Sequence, residues 1–115
     1  MSRVKNKRRF GRKKSQKKAL MQALSRSLIL NERIKTTEAK AKELRGFVEP
    51  LITAAKEDSV SSRRKISKHF DEKTVTKMFE EIGPKYAERP GGYTRIIKIG
   101  PRNSDGAKEV FIELV

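Results

Sequence analysis

Apolar positions recur along this chain with two periods, and the change from one to the other comes near residue 90. From Gln16 to Leu30, the residues Leu20, Ala23, Leu24, Ser27 and Leu28 fall on one helical stripe, with Ser27 its polar member. Ser15 is placed to cap that helix. Ile34, Lys35 and Thr36 make a short β-prone piece. Thr37 then caps a second helix, with Glu38 in the first turn where the helix dipole favours an acid. Ala41, Leu44, Val48, Leu51, Ile52 and Ala55 keep a helical phase straight across Pro50, which predicts a bend there rather than a stop. After Asp58 and Ser59, the basic segment from Val60 to Phe70 reads as helical. Asp71 can cap a further helix with Val75, Met78, Phe79 and Ile82 on its buried face, stopped by Gly83 and Pro84. Beyond Pro90, Gly91 and Gly92, the runs Tyr93 to Ile99 and Val110 to Val115 are β-branched and aromatic. Gly100-Pro101 and Asp105-Gly106 lie between them, as in a hairpin with a longer loop. The predicted class is α+β: a helical layer packed on a small mixed sheet, one early strand plus a C-terminal hairpin, with a basic extended N-terminal arm.

Charge changes the picture at the N-terminus. The 115 residues hold 29 Lys+Arg and 14 Asp+Glu, a formal net charge of +15. Arg3, Lys5, Lys7, Arg8, Arg9, Arg12, Lys13, Lys14, Lys17 and Lys18 crowd the first 18 residues, where no acid occurs and Met1, Val4 and Phe10 are the only large apolar residues. Such a segment cannot offset its own ordering by burial. Residues 1–15 are therefore expected to be a disordered basic arm, reaching ~60 Å for the first 18 residues if fully extended, on a single domain of residues 16–115. A charge run serving solubility alone would repel itself. A membrane anchor would need an apolar face beside the charge. Phosphates answer both objections, because each one neutralised releases counterions and adds salt-sensitive affinity.

Other chemistry is thin. There is no cysteine, which removes disulfides and thiolate metal sites. Apolar runs of four or five residues are too short to cross a bilayer, and no signal peptide is expected. His69 is the only histidine and is tied to no nucleophile or orienting acid, so a surface or capping role is expected of it. Glu80 and Glu81 point in different directions along a helix and suit solvated surface. Gly91-Gly92-Tyr93 lacks the ending of a phosphate-binding P-loop and precedes a strand rather than a helix. Its glycines still let a phosphate backbone approach, with Tyr93 and Arg95 available to stack or grip; a plain core role for Tyr93 is the alternative. No cofactor, metal or small-molecule substrate is expected, and no enzymatic activity.

One stretch carries a family resemblance: Ile34-Lys35-Thr36-Thr37-Glu38-Ala39-Lys40-Ala41-Lys42, followed by Glu49 seven residues on. With Gly91-Gly92-Tyr93-Thr94-Arg95-Ile96 and the terminal Ile112-Glu113-Leu114-Val115, it resembles the bacterial large-subunit ribosomal protein L17 family from about Phe10 to the C-terminus. The resemblance implies a structural protein of the large ribosomal subunit, cytoplasmic or organellar, that binds the large RNA near the nascent-chain exit. It also implies contact with the thirty-second protein of that subunit. Gln16 and Asn31 stand where the family usually has histidines, so RNA contacts of those histidines do not carry over.

The expected RNA-binding residues are the ten arm cations named above with Arg26, Lys35, Arg45, Arg63, Arg64, Tyr93 and Arg95. A histone-like or regulatory DNA-binding protein is the alternative, though no helix-turn-helix or basic-zipper pattern is present. An RNA-modifying enzyme would need a catalytic set that the sequence lacks.

Overall fold

The computed structural model describes residues 2–102 and 105–115, with side chains from Lys13 onward. Helix α1 spans Ser2–Asn31, strand β1 Arg33–Thr37, α2 Glu38–Ala55, α3 Val60–Ser67 and α4 Glu72–Lys77. A π-helical turn at Met78–Ile82 leads into the single turn α5, Gly83–Lys85, before strands β2, Thr94–Pro101, and β3, Lys108–Leu114.

The sheet has the order β1-β3-β2, and both pairings are antiparallel. This corrects the mixed sheet expected from the sequence. β1 and β2 do run parallel to each other, but the hairpin returns β3 between them, so they never pair. Alternation along β3 sets the two faces. Val110, Ile112 and Leu114 turn inward, while Glu109, Phe111 and Glu113 turn outward. Between Lys98 and Gly100 the β2 register slips, and Gly100 takes φ 131° there, a conformation open to glycine and strained for other residues.

Helices cover the inward face. On α2 the predicted stripe is buried in full: Ala41, Leu44, Val48, Leu51, Ile52 and Ala55. Thr37 caps the helix through Oγ1, which accepts from the Lys40 amide, and the helix continues through Pro50. α1 differs from expectation in three ways, the first being that it begins at Ser2, within the residues expected as an extended arm. Ser15 lies inside it rather than at its cap, since Lys, Arg and Gln favour helix and Gly11 alone interrupts them. Its buried stripe is Met21, Ser25, Leu28 and Ile29 with Leu24 half-buried, so Leu20 and Ala23 face outward. The helix then ends at Glu32, whose φ of 65° turns the chain into β1, with the Lys77 ammonium donating to the Leu30 carbonyl.

Gly83-Pro84 does not stop the fourth helix as expected. The chain winds on through the π-helical turn to Lys85. Gly83 serves a different purpose, because a Cβ there would drive into the carbonyl oxygen of Ala55 on α2. Tyr86 and Tyr93 close the core beneath the sheet, ring centroids 5.1 Å apart, with the Tyr86 hydroxyl donating to the Val115 carbonyl at 2.7 Å.

Candidate nucleic-acid interface

α1 reaches the chain just beyond the short helix α3 at His69. Gln22 of α1 lies 3.0 Å from His69 Nδ1, and the imidazole stands edge-on to Phe47 at 5.4 Å and Phe70 at 6.3 Å between centroids. Burial holds His69 below its usual pKa, and the fields of Lys18, Lys68 and Lys65 push in the same direction. Cations far apart in sequence are thus gathered into one patch. Lys18 continues the exposed row Lys13 and Lys14 on α1, while Lys65 and Lys68 come from α3 and its end, beside Arg64. None of these six has a carboxylate within 4 Å among the described residues.

Several expected contacts are instead occupied within the protein. Lys17 meets Glu43 at 3.3 Å, Arg26 meets Asp71 at 3.1 Å, and Lys35 meets Glu109 at 3.0 Å. Arg63 makes a two-pronged pair with Asp58, at 2.6 and 2.9 Å, and its guanidinium also lies over the Phe79 ring. Arg95 donates twice to one oxygen of Glu113, at 2.8 and 2.6 Å, across the hairpin. The Lys17–Glu43 and Arg26–Asp71 pairs are exposed on both sides, where such contacts contribute about 0–1 kcal/mol, so a phosphate can replace those carboxylates at little cost; Glu109 and Glu113 are mostly covered. The side chains of Arg3, Lys5, Lys7, Arg8, Arg9 and Arg12 lie outside the described residues.

Tyr93 is a correction. Its ring is 1% exposed, leaving no face for a base to stack on. Its hydroxyl is 3.0 Å from Thr53 Oγ1 and receives the Lys56 ammonium at 3.1 Å. The Thr53 bond, with Lys56 beside it, holds the phenol below its usual pKa. Tyr93 precedes β2 and is core, while Arg95 within the strand faces outward.

Thr94 is held by α2: its hydroxyl donates to Glu49 at 2.8 Å, and Arg45 donates to its hydroxyl at 3.2 Å and its carbonyl at 3.3 Å. Glu49, Tyr93 and Thr94 therefore fasten α2 to the start of β2. Two segments distant in sequence thus meet in the fold.

Sequence reasoning did not single out Lys65 and Lys68, which stand with Lys18 at His69, nor Arg33 on the outward face of β1. The first two stood in the basic segment beside Arg63 and Arg64, but only the packing of α3 against α2 and α4 brings them to α1. Arg33 carried no signal beyond its charge. An open cleft of about 550 Å³ between α2 and β3, lined by Thr37, Glu38, Ala39, Lys42, Ala107 and Lys108, holds no nucleophile–base pair. Among the described residues no cluster of His, Asp or Glu could hold a metal, and no helix is long and apolar enough to cross a membrane.

Comparison with known proteins agrees with the resemblance. The family profile of ribosomal protein L17 matches residues 20–115. A large ribosomal subunit protein bL17 of an Exiguobacterium species is 50% identical over 113 residues, covering 93% of this chain and 97% of the relative. The bL17 protein of Staphylococcus carnosus is 50% identical over 119 residues, covering 94% and 98%. That of Carboxydothermus hydrogenoformans is 48% identical over 108 residues, covering 93% and 96%.

Proposed function

The chain belongs to the ribosomal protein L17 family, a structural and non-enzymatic family, and on that premise we propose that it is a constituent of the large ribosomal subunit that binds large-subunit ribosomal RNA. The observation that carries RNA binding is the patch at His69, where Lys18 of α1 and Lys65 and Lys68 from α3 and its end act on one ring and none of the three has a carboxylate within 4 Å among the described residues. Residues 1–15 extend this patch as an arm beyond the body of residues 16–115. Within α1 the pairs Lys13–Lys17 and Lys14–Lys18 set like charges four residues apart, which weakens a helix. RNA phosphates relieve that repulsion, so the arm takes its bound conformation on RNA. The body supplies shape and the arm supplies charge, as suits packing into folded RNA rather than reading a groove.

The resemblance supports three finer features: a position near the nascent-chain exit, contact with the thirty-second protein of the large subunit, and residence in the cytoplasm.

The test compares the full chain with a form lacking residues 1–14, using transcribed large-subunit RNA and duplex DNA at matched salt. The full chain is expected to favour RNA. The deletion removes eight cations and should flatten the log–log salt dependence by a few units, at ~0.7–0.9 per phosphate contact. Equal affinity for RNA and DNA would overturn the RNA reading, and an unchanged slope would remove the arm from the interface.

A further inference from the structure

The sheet has helices on one face only, and its other face is a ladder of three cross-strand rows. Arg33, Glu113 and Arg95 form the first, and Lys35, Phe111 and Ile97 the second. Thr37, Glu109 and Gly100 form the third, beside Ile99, which lies in the β2 register slip between Lys98 and Gly100. Ile97 and Ile99 are 38% and 48% exposed, two of the four large apolar side chains left open to solvent among the described residues. Between the cations, the Arg33 guanidinium carbon sits over the Phe111 ring, 3.7 Å from its centroid. We propose that this open face, centred on Arg33 stacked over Phe111 and flanked by Ile97, is a stacking site for an unpaired nucleobase of RNA. The proposal rests on the RNA-binding reading above.

Three features of the face favour a base over other occupants. Guanidinium and aromatic planes are the surfaces on which splayed RNA bases stack, and here one already lies over the other. Both acids of the face are committed to cations: Glu113 to Arg95 at 2.6 Å and Arg33 at 3.8 Å, and Glu109 to Lys35 at 3.0 Å. A nucleotide's phosphate therefore meets Arg33, Lys35 and Arg95 at the rim without an unpaired carboxylate. The exposed isoleucine beside Phe111 offers apolar cover to the edge of a base, a contact that phosphate recognition alone would not use.

The experiment measures binding of the full chain to transcribed large-subunit RNA across a salt series, with Arg33→Lys and Ile97→Thr. Arg33→Lys keeps the charge and removes the plane. Ile97→Thr keeps a β-branched strand residue and removes the apolar cover. Each should lower affinity by about fivefold or more, the loss expected of a weakened stacked base, while the salt slope and Tm stay those of the unmodified chain. Unchanged affinity in both variants would overturn the site and leave the face to a protein partner. A loss confined to Arg33→Lys would mark a phosphate grip on Arg33, which also overturns stacking. Failure of the unmodified chain to bind RNA at all would instead refute the reading on which the site rests.

Discussion

Protonating His69 in the folded protein adds a positive charge to a half-buried ring beside Lys18, Lys65 and Lys68. Unfolding returns the imidazole to water, where it titrates near 6.5. Its folded pKa lies below that value, so between the two the unfolded chain binds more protons and stability rises with pH. The contribution is fully present above about pH 6.5 and is lost as pH falls below it. Asp58, Asp71 and Asp105 are held below their usual values mainly by hydrogen bonds from Arg63, Thr74 and Arg102, and they act in a separate window near pH 4 and below. Tm should therefore drop between pH 7 and pH 5.5, and His69→Gln should flatten that drop. Parallel Tm–pH curves for the two proteins would refute the assignment. His69 was expected at the surface or at a helix cap. It is half-buried instead, because the aromatic rings of Phe47 and Phe70 reach it from α2 and from the end of α3.

At the scale of elements, α2 and the turn carrying Gly83 fit with no room for a side chain at that glycine. A methyl group there meets Ala55's backbone, which cannot rotate aside as a side chain would. Gly83→Ala should destabilise the protein by about 1–3 kcal/mol, the range for overpacking a filled core. Denaturant unfolding monitored by circular dichroism would show it as a lower midpoint at unchanged m-value. An unaltered midpoint would mean that the π-helical turn at Met78–Ile82 shifts to admit the methyl. Pro50 makes the complementary point. Its ring removes a donor from α2, yet the helix persists because the stripe from Ala41 to Ala55 is buried on both sides of it.

Across the whole molecule, charge is unevenly held. Residues 57–88, from the end of α2 through α5, carry seven acids and seven Lys or Arg, while the other 83 residues carry the entire net charge of +15. Within that balanced part, α3 turns its lysines toward α1 and leaves Glu80 and Glu81 exposed on the π-helical turn. Replacing Lys65 and Lys68 together with Ala should weaken RNA binding and lower the salt slope by about one to two units. Neutralising Lys73 and Lys85 should change the slope less, since Lys85 lies 4.0 Å from Glu32 and neither flanks His69. Equal slopes for the two double variants would mean that the lysine patch is not where phosphates dock.

Most helices and strands were legible locally because periodicity, caps and turn signals are properties of neighbouring residues. Thr37, the α2 stripe and the β-branched runs at the C-terminus needed no tertiary information. The family followed from motif segments in their order. Other features depended on elements distant in sequence. The rotation of α1 by one position depends on which side chains meet α2 and α4, and Leu20 and Met21 look alike until the partner is present. The antiparallel order β1-β3-β2 depends on where the hairpin docks, which no strand encodes alone. Tyr93 offered a base-stacking ring or a core ring with equal plausibility until Thr53 and Lys56 of α2 and its cap closed over its hydroxyl. Lys18, Lys65 and Lys68 form one patch only through the packing of α3. A charge run along the chain does not specify a shared surface until the fold sets the distances between its cations.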